Sequence, residues 1–482
     1  MINEKSNYYF RFPDEINDRL DFTHYHHDLD ELDYLDELTT YDILEFGGNI
    51  DDKDIVVNIV SGSTPNGIEY LDDGVLFLGA GNVQIEKLDL YNAKKIDYSY
   101  HEGALFSSSL ELNDILISKK GTVGRCCVFD LEDEANINEN IAKVKINEEL
   151  KDHVIEKYIS EFLNSYYGQL GFTKYMHESV QYSINLDEIK RIKIILPPKD
   201  IQEAILSEIG PIEADATENN LKFQSSIDNA NTKLLEELDI ESNEEDLFFK
   251  KGKHENSDFF LVFSEDMYDR LHYLFYHPKY NILESLQSKY KTILLKDICK
   301  EPIKRGKQPH YENSGIMVIK TIDLKNRYIG YDNTLRVSEE FFESKTEAHV
   351  QKGDLLIAST GQGSLGKVDV FDIDTPAMVD AHISIIRLKD EYDPYFIAYY
   401  LRSPLGQIQF EKWFSGSSGQ IEIQPGDINN FILPSGENIP FNTQKEIASR
   451  ITELYQEAGK YEKKSQEKWA EARELFESRI RN

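Results

Sequence analysis

The feature that most constrains this chain is an internal duplication. Seven short sequence matches occur in the same order in both halves of the 482 residues. In chain order the matched pairs are Phe12–His26 with Phe263–His277, Asn113–Arg125 with Gly353–Lys367, Asn138–Ile141 with Asp380–Ile383, Lys157–Gln169 with Tyr395–Gln407, Ser179–Gln181 with Ser418–Gln420, Leu196-Pro197 with Leu433-Pro434, and Gln202 with Gln444. Because self-similarity in a fixed order marks a repeated structural unit, we predict two copies of one domain.

A long polar helix is predicted after each copy. Within Pro197–Leu238, apolar or small residues recur at steps of three and four, as in a helix with a narrow apolar seam. A second such segment is Gln444–Ile480. Gly210-Pro211 is expected to break or kink the first helix, since proline removes a backbone donor. Neither helix can bury its seam alone, so we predict that the two helices pair with each other.

The order of sequence patterns predicts the fold class α+β. Each half has many short β-runs, a helix at 152–169 or 394–411, a Gly/Ser/Gln loop, a short strand and the long helix. We therefore predict two similar mixed α/β domains separated by two long antiparallel coiled-coil helices. The predicted boundaries are 1–196 for the first domain, 197–238 for the central helix, 239–258 for a solvated linker, 259–440 for the second domain and 441–482 for the C-terminal helix.

Charge and composition narrow the functional classes. The net charge of −34 argues against a simple DNA-coating protein, because phosphate contacts supply most nonspecific affinity. Short basic clusters nevertheless stand out at Lys119-Lys120, Lys190–Lys193 and Lys304–Lys307. An acidic chain with basic loops could bind DNA at defined points and present acidic faces to protein partners. The alternative is that the acidity serves solubility alone.

The sequence predicts a cytoplasmic protein without membrane contact. No apolar run approaches the length that spans a bilayer, and the first residues show no secretory pattern. The three cysteines form neither a disulfide framework nor a zinc-binding spacing.

Candidate DNA contacts lie in glycine-containing loops that carry cations. In Lys119–Arg125 and its counterpart Ser359–Lys367, glycines let the backbone approach a partner and cations suit phosphates. Arg125 could read guanine and Gln362 adenine, whereas the alternative for each loop is a plain solvated turn. The predicted DNA-binding residues are Lys119, Lys120, Thr122, Arg125, Ser179, Gln181, Lys304, Arg305, Lys307, Gln308, Lys320, Thr321, Gln362, Ser364, Lys367, Ser418 and Gln420.

The sequence patterns do not predict an enzyme. Asp393–Phe396 approaches the Asp/Asn-Pro-Pro-Tyr motif of adenine methyltransferases but lacks the second proline, and it is more typical of a helix start. His24, His26 and His27 could suggest a metal site, but a packed aromatic segment is favoured. Pairing Asp14 with Asp51–Lys53 as a nuclease site is a chance-level pattern, and no Walker loop is present. We predict no catalytic residue, no metal and no cofactor.

Over nearly its whole length the chain resembles the specificity (S) subunit of type I restriction-modification systems. The resemblance rests on Ser61–Pro65, the Asn-Asp-Ile-Leu-Ile and Gly-Asp-Leu-Leu-Ile runs with their glycine loops, and the Leu-Pro…Gln entries to both long helices. The second half departs from the family pattern, because Arg305–Pro309 stands where a Gly-x-Thr-Pro loop is usual.

The resemblance implies two target recognition domains and a non-catalytic subunit that reads a bipartite DNA site, with the paired helices as the ruler for its spacer. It would direct adenine methylation or cleavage by partner subunits. The implied partners are double-stranded DNA, two methylation (M) subunits that bring S-adenosylmethionine, and restriction (R) subunits that bring ATP and magnesium. The alternative is an acidic protein-interaction or DNA-mimic module built on degenerate recognition domains, which the net charge favours and the paired basic loops oppose.

Overall fold

The computed structural model describes residues 31–240 and 273–481, apart from gaps at 72, 86, 91–92, 178–181, 278–279, 333, 362, 418–419 and 436–438. Two compact units are present: unit 1 comprises Met1–Asn219 and Lys464–Asn482, and unit 2 comprises Asn220–Lys463. The first sequence match lies outside the described residues except at 273–277, as do the three histidines near the N-terminus and nearly all of the predicted linker.

Unit 1 is built from short strands and helices followed by the start of a long helix. Its helices are α1 Leu35–Leu38, α2 Tyr98–Glu102, α3 Glu156–Asn164, α4 Tyr166–Tyr175, α5 Leu186–Lys190 and the first part of α6 Lys199–Glu237. Its strands are β1 Asp42–Glu45, β2 Asn49–Ile50, β3 Lys53–Asp54, β4 Val56–Ser61, β5 Tyr70–Leu71, β6 Val75–Leu78, β7 Val83–Gln84, β8 Lys87–Leu88, β9 Lys94–Ile96, β10 Ile115–Ser118, β11 Cys126–Val128, β12 Ala135–Ile137, β13 Ile141–Ile146 and β14 Lys193–Leu196.

Unit 2 repeats this series of elements. Its helices are α7 Asn281–Lys289, α8 Glu339–Ser344, α9 Pro394–Arg402, α10 Pro404–Trp413, α11 Pro425–Ile428 and the first part of α12 Phe441–Ile480. Its strands are β15 Thr292–Leu294, β16 Lys304–Arg305, β17 Ile316–Ile319, β18 Leu335–Val337, β19 His349–Val350, β20 Leu355–Ala358, β21 Val368–Val370, β22 Ala377–Val379, β23 Ile383–Ile386, β24 Ser415–Ser417, β25 Gln420–Glu422 and β26 Ile432–Pro434.

The sheet topology confirms the predicted duplication. One four-stranded sheet has the order β11-β10-β13-β4 in unit 1 and β21-β20-β23-β16 in unit 2, with matched strands at every place. The second sheet contains β9-β6-β12 in unit 1 and β18-β17-β22 in unit 2. In both, the inner pair β6/β12 or β17/β22 is parallel. The fold class is α+β with two repeated domains, as predicted.

A buried aspartate opens the same strand in both units. The carboxylate of Asp114 accepts a hydrogen bond from the Glu111 amide at 2.8 Å, and that of Asp354 accepts one from the Gln351 amide at 2.7 Å. Both aspartates are almost fully buried. Because a buried carboxylate needs partners, these turns fix where β10 and β20 begin.

The helix predicted at 152–169, like its counterpart, is two helices. Ser165 and Ser403 separate them in extended conformations, with ψ of 168° and 163°. The second helix then packs so tightly on the first that a Cβ at Gly168 would lie 2.3 Å from the Phe162 carbonyl oxygen. The apolar period continues through the serine, which is why the sequence pattern indicated a single helix.

Of the break or kink predicted at Gly210-Pro211, the break is wrong. Helix α6 continues through Pro211. Its neighbours Ile209 and Ala216 are 1% and 0% exposed, so the flanking turns are held by packing. Tertiary contacts here outweigh the missing backbone hydrogen bond, as they often outweigh local propensity.

A glutamine fastens each long helix to the domain before it. The Gln202 side-chain oxygen accepts from the Ile155 amide at 3.0 Å, and its nitrogen donates to the Pro197 carbonyl at 2.7 Å. Gln444 repeats the first contact with the Asp393 amide at 2.9 Å. Both glutamines are buried. We call this arrangement the glutamine clamp, because it joins the start of the long helix to the start of α3 or α9.

Within each unit the long helices pair antiparallel, as predicted. In unit 1, Arg479 Nε donates to Glu208 at 2.8 Å, and Ser465 Oγ donates to the Ala216 carbonyl at 2.8 Å. Residues progressively later in α6 therefore contact residues progressively earlier in α12, so the two helices run in opposite directions. In unit 2 the same direction is shown by Glu237 with Arg450 and by Asn231 with Tyr455.

Aromatic residues fill the core of each unit. In unit 1 the Tyr158 and Phe476 ring centroids are 5.4 Å apart, and the Tyr158 hydroxyl donates to the Ile195 carbonyl at 2.8 Å. In unit 2 the Phe410 and Phe431 rings meet edge to face at 4.8 Å. Among the helices described, none combines the length and apolarity needed to cross a bilayer.

Candidate nucleic-acid interface

The candidate site is one end of each unit, where several strands end together. These strands are β4, β6, β10 and β12 in unit 1 and β16, β17, β20 and β22 in unit 2. We call this end the loop end. In unit 1 the loop end comprises residues 61–65, 118–125, 138–141 and 182–184, and in unit 2 it comprises 305–309, 319–321, 359–361, 363–367, 380–383 and 420–423.

Five backbone hydrogen bonds hold each loop end together, and they correspond one by one between the units. In unit 1 the amide-to-carbonyl pairs are Gly62 to Ile141, Asn138 to Leu78, Lys119 to Asn140, Ile184 to Lys119, and Gly121 to Tyr182. In unit 2 the corresponding pairs, in the same order, are Gly306 to Ile383, Asp380 to Ile319, Ser359 to His382, Ile423 to Ser359, and Gly361 to Ile421. The two loop ends are therefore one scaffold built twice.

A glycine is required at the centre of each scaffold. A Cβ at Gly62 would lie 1.9 Å from the Ile137 carbonyl oxygen, and one at Gly306 would lie 2.2 Å from the Asp380 carbonyl oxygen. These glycines belong to Ser61–Pro65 and Arg305–Pro309, so the departure from the family pattern in the second half keeps the residue that the backbone needs.

In unit 1 the predicted cations occupy different parts of one loop. Lys120 and Thr122 are exposed, and Lys119 is half-buried. Burial, and then the neighbouring Lys120 ammonium, lowers the pKa of Lys119. Arg125 lies at the foot of the loop, where its guanidinium donates to Gln84 at 2.8 Å and burial lowers its pKa. The loop thus exposes Lys120 and Thr122 and leaves Lys119 half-buried, while Arg125 has a partner on hairpin β7–β8.

In unit 2 the first two predicted cations are engaged by the protein itself. Lys304 forms an ion pair with Glu301. The Arg305 guanidinium donates to the Ile423 carbonyl at 2.8 Å and lies 3.3 Å from the Glu422 carboxylate. Arg305 therefore fastens the β24–β25 hairpin to β16.

The remaining residues of this basic cluster are accessible. Lys307 and Gln308 are exposed, with the Lys307 ammonium 3.6 Å from the Glu347 carboxylate, and Lys320 and Thr321 are half-buried. The Lys320 ammonium lies 5.2 Å from the centroid of the Tyr311 ring. Because the amides of residues 307 and 380 bond to neighbouring strand ends, the two lysines belong to one surface of the loop end.

The last group of predicted residues is only partly described. Ser364 and Lys367 are half-buried, and burial followed by the Lys325 charge lowers the pKa of Lys367. The backbone of Gln420 belongs to β25. The predicted residues that lie outside the described part of the chain are Ser179, Gln181, Gln362 and Ser418.

Two anchored side chains in the loop ends were missed by the sequence prediction. The Thr64 hydroxyl donates to the Glu139 carboxylate at 2.5 Å in unit 1. In unit 2 the Thr360 hydroxyl and His382 Nδ1 are 2.8 Å apart. Glu139 and His382 lie within the third sequence match, so the repeat marked the segment but gave no sign of a role for either side chain.

Comparison with known proteins identifies the family. The model for the type I restriction modification DNA specificity domain matches residues 56–229 and 287–468, which together exceed half of the chain. The comparison with curated proteins gave no match. Among the described residues, no group of His, Cys, Asp and Glu could hold a metal ion.

Several solved structures are similar at low identity. A type I restriction-modification S subunit from M. genitalium is 14% identical, with 92% of this chain and 96% of that chain covered and a TM-score of 0.35. The HsdS subunit from Thermoanaerobacter tengcongensis is 13% identical, with coverages of 88% and 96% and a TM-score of 0.30. A chain from a structural study of complex assembly and conformational transition of the type I R-M system is 12% identical, with 88% of this chain and 96% of that chain covered and a TM-score of 0.31.

Proposed function

Because the chain belongs to the family of type I restriction-modification DNA specificity domains, we propose that each of its units reads one half of a bipartite DNA site. As a member, it is a non-catalytic subunit that sets the DNA sequence on which a restriction-modification complex acts. Its partners are DNA and other subunits of that complex.

The observation that carries this proposal is the pair of matched loop ends. Each has the same five backbone hydrogen bonds and the same central glycine, yet the side chains on the scaffold differ. Phosphate contacts position a protein on DNA, and base contacts specify the sequence. A repeated scaffold with exposed lysines and variable polar side chains suits two readers of different sequences.

The finer assignments follow the sequence prediction. We propose recognition domains at 1–196 and 259–440, with Lys119, Lys120, Lys307 and Lys320 on phosphates. The partners would be two methylation subunits, which act on adenine, and restriction subunits, which cleave. We place the complex in the cytoplasm.

The direct test is selection of bound sequences from a random duplex library by the full chain together with its methylation subunit. We expect a consensus of two short specified segments separated by a nonspecific spacer. A single contiguous consensus, or no consensus in a complex that binds DNA, would overturn the proposal.

Removing the two accessible lysines of unit 2 is expected to weaken binding to every sequence. In the double variant Lys307→Gln, Lys320→Gln, the slope of log affinity against log salt should fall by about 0.9 for each phosphate that the protein no longer neutralises. Fluorescence anisotropy of the complex over a salt series measures this slope.

A matched control is Lys352→Gln. Lys352 is exposed and pairs with Asp374 at 2.8 Å, in the turn before β20 and so away from the loop end. Its salt slope should equal that of the wild type. Equal slopes for the control and the double variant would remove Lys307 and Lys320 from the interface.

A further inference from the structure

The third sequence match forms the same tight turn in both units. The Ile141 amide donates to the Asn138 carbonyl at 3.2 Å, and the Asn138 side chain accepts from the Asn140 amide at 3.0 Å. In unit 2 the Asp380 carboxylate accepts from the His382 amide at 2.9 Å in the same way. These are Asx turns, in which a short polar side chain fixes the backbone two residues further on.

Three neighbours fix each turn to the scaffold. The end of β6 or β17 binds the first residue of the turn through a backbone hydrogen bond, and the loop after β10 or β20 donates to the third. The central glycine, Gly62 or Gly306, closes the remaining side with no room for a Cβ. The second and third turn residues are therefore held in position, with the side chains of Glu139 and His382 exposed and those of Asn140 and Ala381 half-buried.

The side chains at these two positions differ between the turns. Unit 1 has Glu139-Asn140 and unit 2 has Ala381-His382 at the same positions. In each turn a threonine from a neighbouring loop holds one of them, as Thr64 holds Glu139. A hydroxyl that immobilises an otherwise mobile side chain lowers the conformational entropy lost on binding a ligand.

A carboxylate in a DNA-binding surface requires an explanation, since it repels phosphates. Glu139 lies close enough to Lys119 and Tyr70 for its charge to oppose the lowering of the Lys119 pKa and to add to the rise that burial causes in the Tyr70 pKa, so it is part of the loop end. An ionised carboxylate can only accept hydrogen bonds. In the major groove cytosine offers the amino group N4 as a donor, whereas adenine places the acceptor N7 beside its amino group.

We propose that these two Asx turns are base-reading elements, in which Glu139 accepts a hydrogen bond from a cytosine N4 in the first half-site and His382 reads a base edge in the second. With Nδ1 engaged by Thr360, His382 offers Nε2 to the DNA, and Nε2 has no hydrogen-bond partner among the described residues. The assignment rests on the proposed function and adds the side chains that distinguish the half-sites.

The test compares base preferences of variant and wild-type complexes in the same library selection. For Glu139→Gln we expect the preference for cytosine at one position of the first half-site to fall about tenfold or more, with the second half-site unchanged. His382→Asn, which installs the residue type of position 140, should alter one position of the second half-site only.

Two further variants separate reading from general effects. Thr64→Val keeps the side-chain volume but removes the anchor, and it should weaken preference at the same position as Glu139→Gln. Glu132→Gln removes an equal charge from an exposed residue between β11 and β12, and it should leave every position unchanged. Melting temperatures of all four variants should match the wild type.

The outcomes are distinct. If the wild-type complex shows no bipartite preference, the proposed function itself fails. If the wild type shows it and Glu139→Gln and His382→Asn leave both half-sites unchanged, the turns do not read bases. Equal weakening at all positions of both half-sites would also overturn the inference, because it would show a general effect on DNA binding.

Discussion

Replacing Arg402 by methionine is expected to destabilise unit 2 by about 3–5 kcal/mol and to leave unit 1 intact, because it leaves a buried carboxylate without its cation. Arg402 and Asp369 are 3% and 0% exposed at their side chains, and their charged atoms lie 2.7 Å apart. The guanidinium also donates to the Val368 carbonyl at 2.7 Å. Helix α9 and strand β21 are thus joined through one arginine.

The pH dependence of this variant provides a second readout. Burial raises the pKa of Asp369 from 3.8 to about 7, although Arg402 opposes the rise. Without Arg402 the folded-state pKa rises further. A carboxyl with a raised folded-state pKa binds more protons when folded, so its favourable contribution is lost as pH rises through that pKa. The loss in the free energy of unfolding of Arg402→Met, relative to wild type, should therefore be larger at about pH 8 than at about pH 5.

Hydrogen exchange of peptides from the two units measures the effect locally, with peptides of α3 and α4 as the internal reference for those of α9 and α10. The matched control is the double variant Asp369→Cys, Arg402→Asn, which installs the unit 1 pair Cys127 and Asn164. In unit 1 the Asn164 side-chain oxygen accepts from the Cys126 backbone N–H at 3.0 Å, and its side-chain nitrogen donates to the Cys126 carbonyl at 2.8 Å. This control should recover much of the stability. Equal destabilisation of both units by Arg402→Met would contradict the prediction.

Gly62→Ala is expected to abolish recognition of the first half-site alone, and Gly306→Ala recognition of the second alone. The added methyl would lie 1.9 or 2.2 Å from a backbone carbonyl oxygen, so a strand end must move. Overpacking of this kind costs about 1–3 kcal/mol, and here the displaced backbone carries the Asx turn. The loop end should lose its geometry while the helices keep theirs.

Sequence selection and circular dichroism together test this expectation. The controls are Gly81→Ala and Gly426→Ala, one in each unit and both outside the loop ends, where a Cβ would meet nothing within 4 Å. Both should retain wild-type selectivity. Retention of both half-sites in Gly62→Ala and Gly306→Ala would mean that the scaffold tolerates the shift and that the glycine is not required.

The repeat predicted much of the fold because matched segments must form matched contacts. It placed Asn113–Arg125 opposite Gly353–Lys367, and the structure has β10, β20 and their loops there. What it could not predict depends on single contacts between distant residues. The break at Ser165 follows from the close approach at Gly168, and the continuity through Pro211 follows from packing.

For the candidate site, sequence found the loops but not the direction of their side chains. A basic cluster shows where cations concentrate, yet Arg305 directs its donors to a hairpin more than a hundred residues later in the chain. Conversely, the negative charge of Glu139 argues against a DNA contact when only the sequence is considered, because DNA phosphates are also negative. Its relevance comes from the Thr64 anchor, which only the fold reveals. The predicted DNA contacts remain predictions.

The glutamine clamp has a consequence for exchanging recognition domains between proteins. Gln202 is joined to the Ile155 amide and to the Pro197 carbonyl, so the clamp spans the residues before and after the start of the helix. In a hybrid of two such proteins, a junction between Pro197 and Gln202 would combine the clamp glutamine of one parent protein with the domain of the other. A crossover farther along α6 would transfer domain, clamp and helix start as one heritable module, with the angle at which the domain leaves the helix already set.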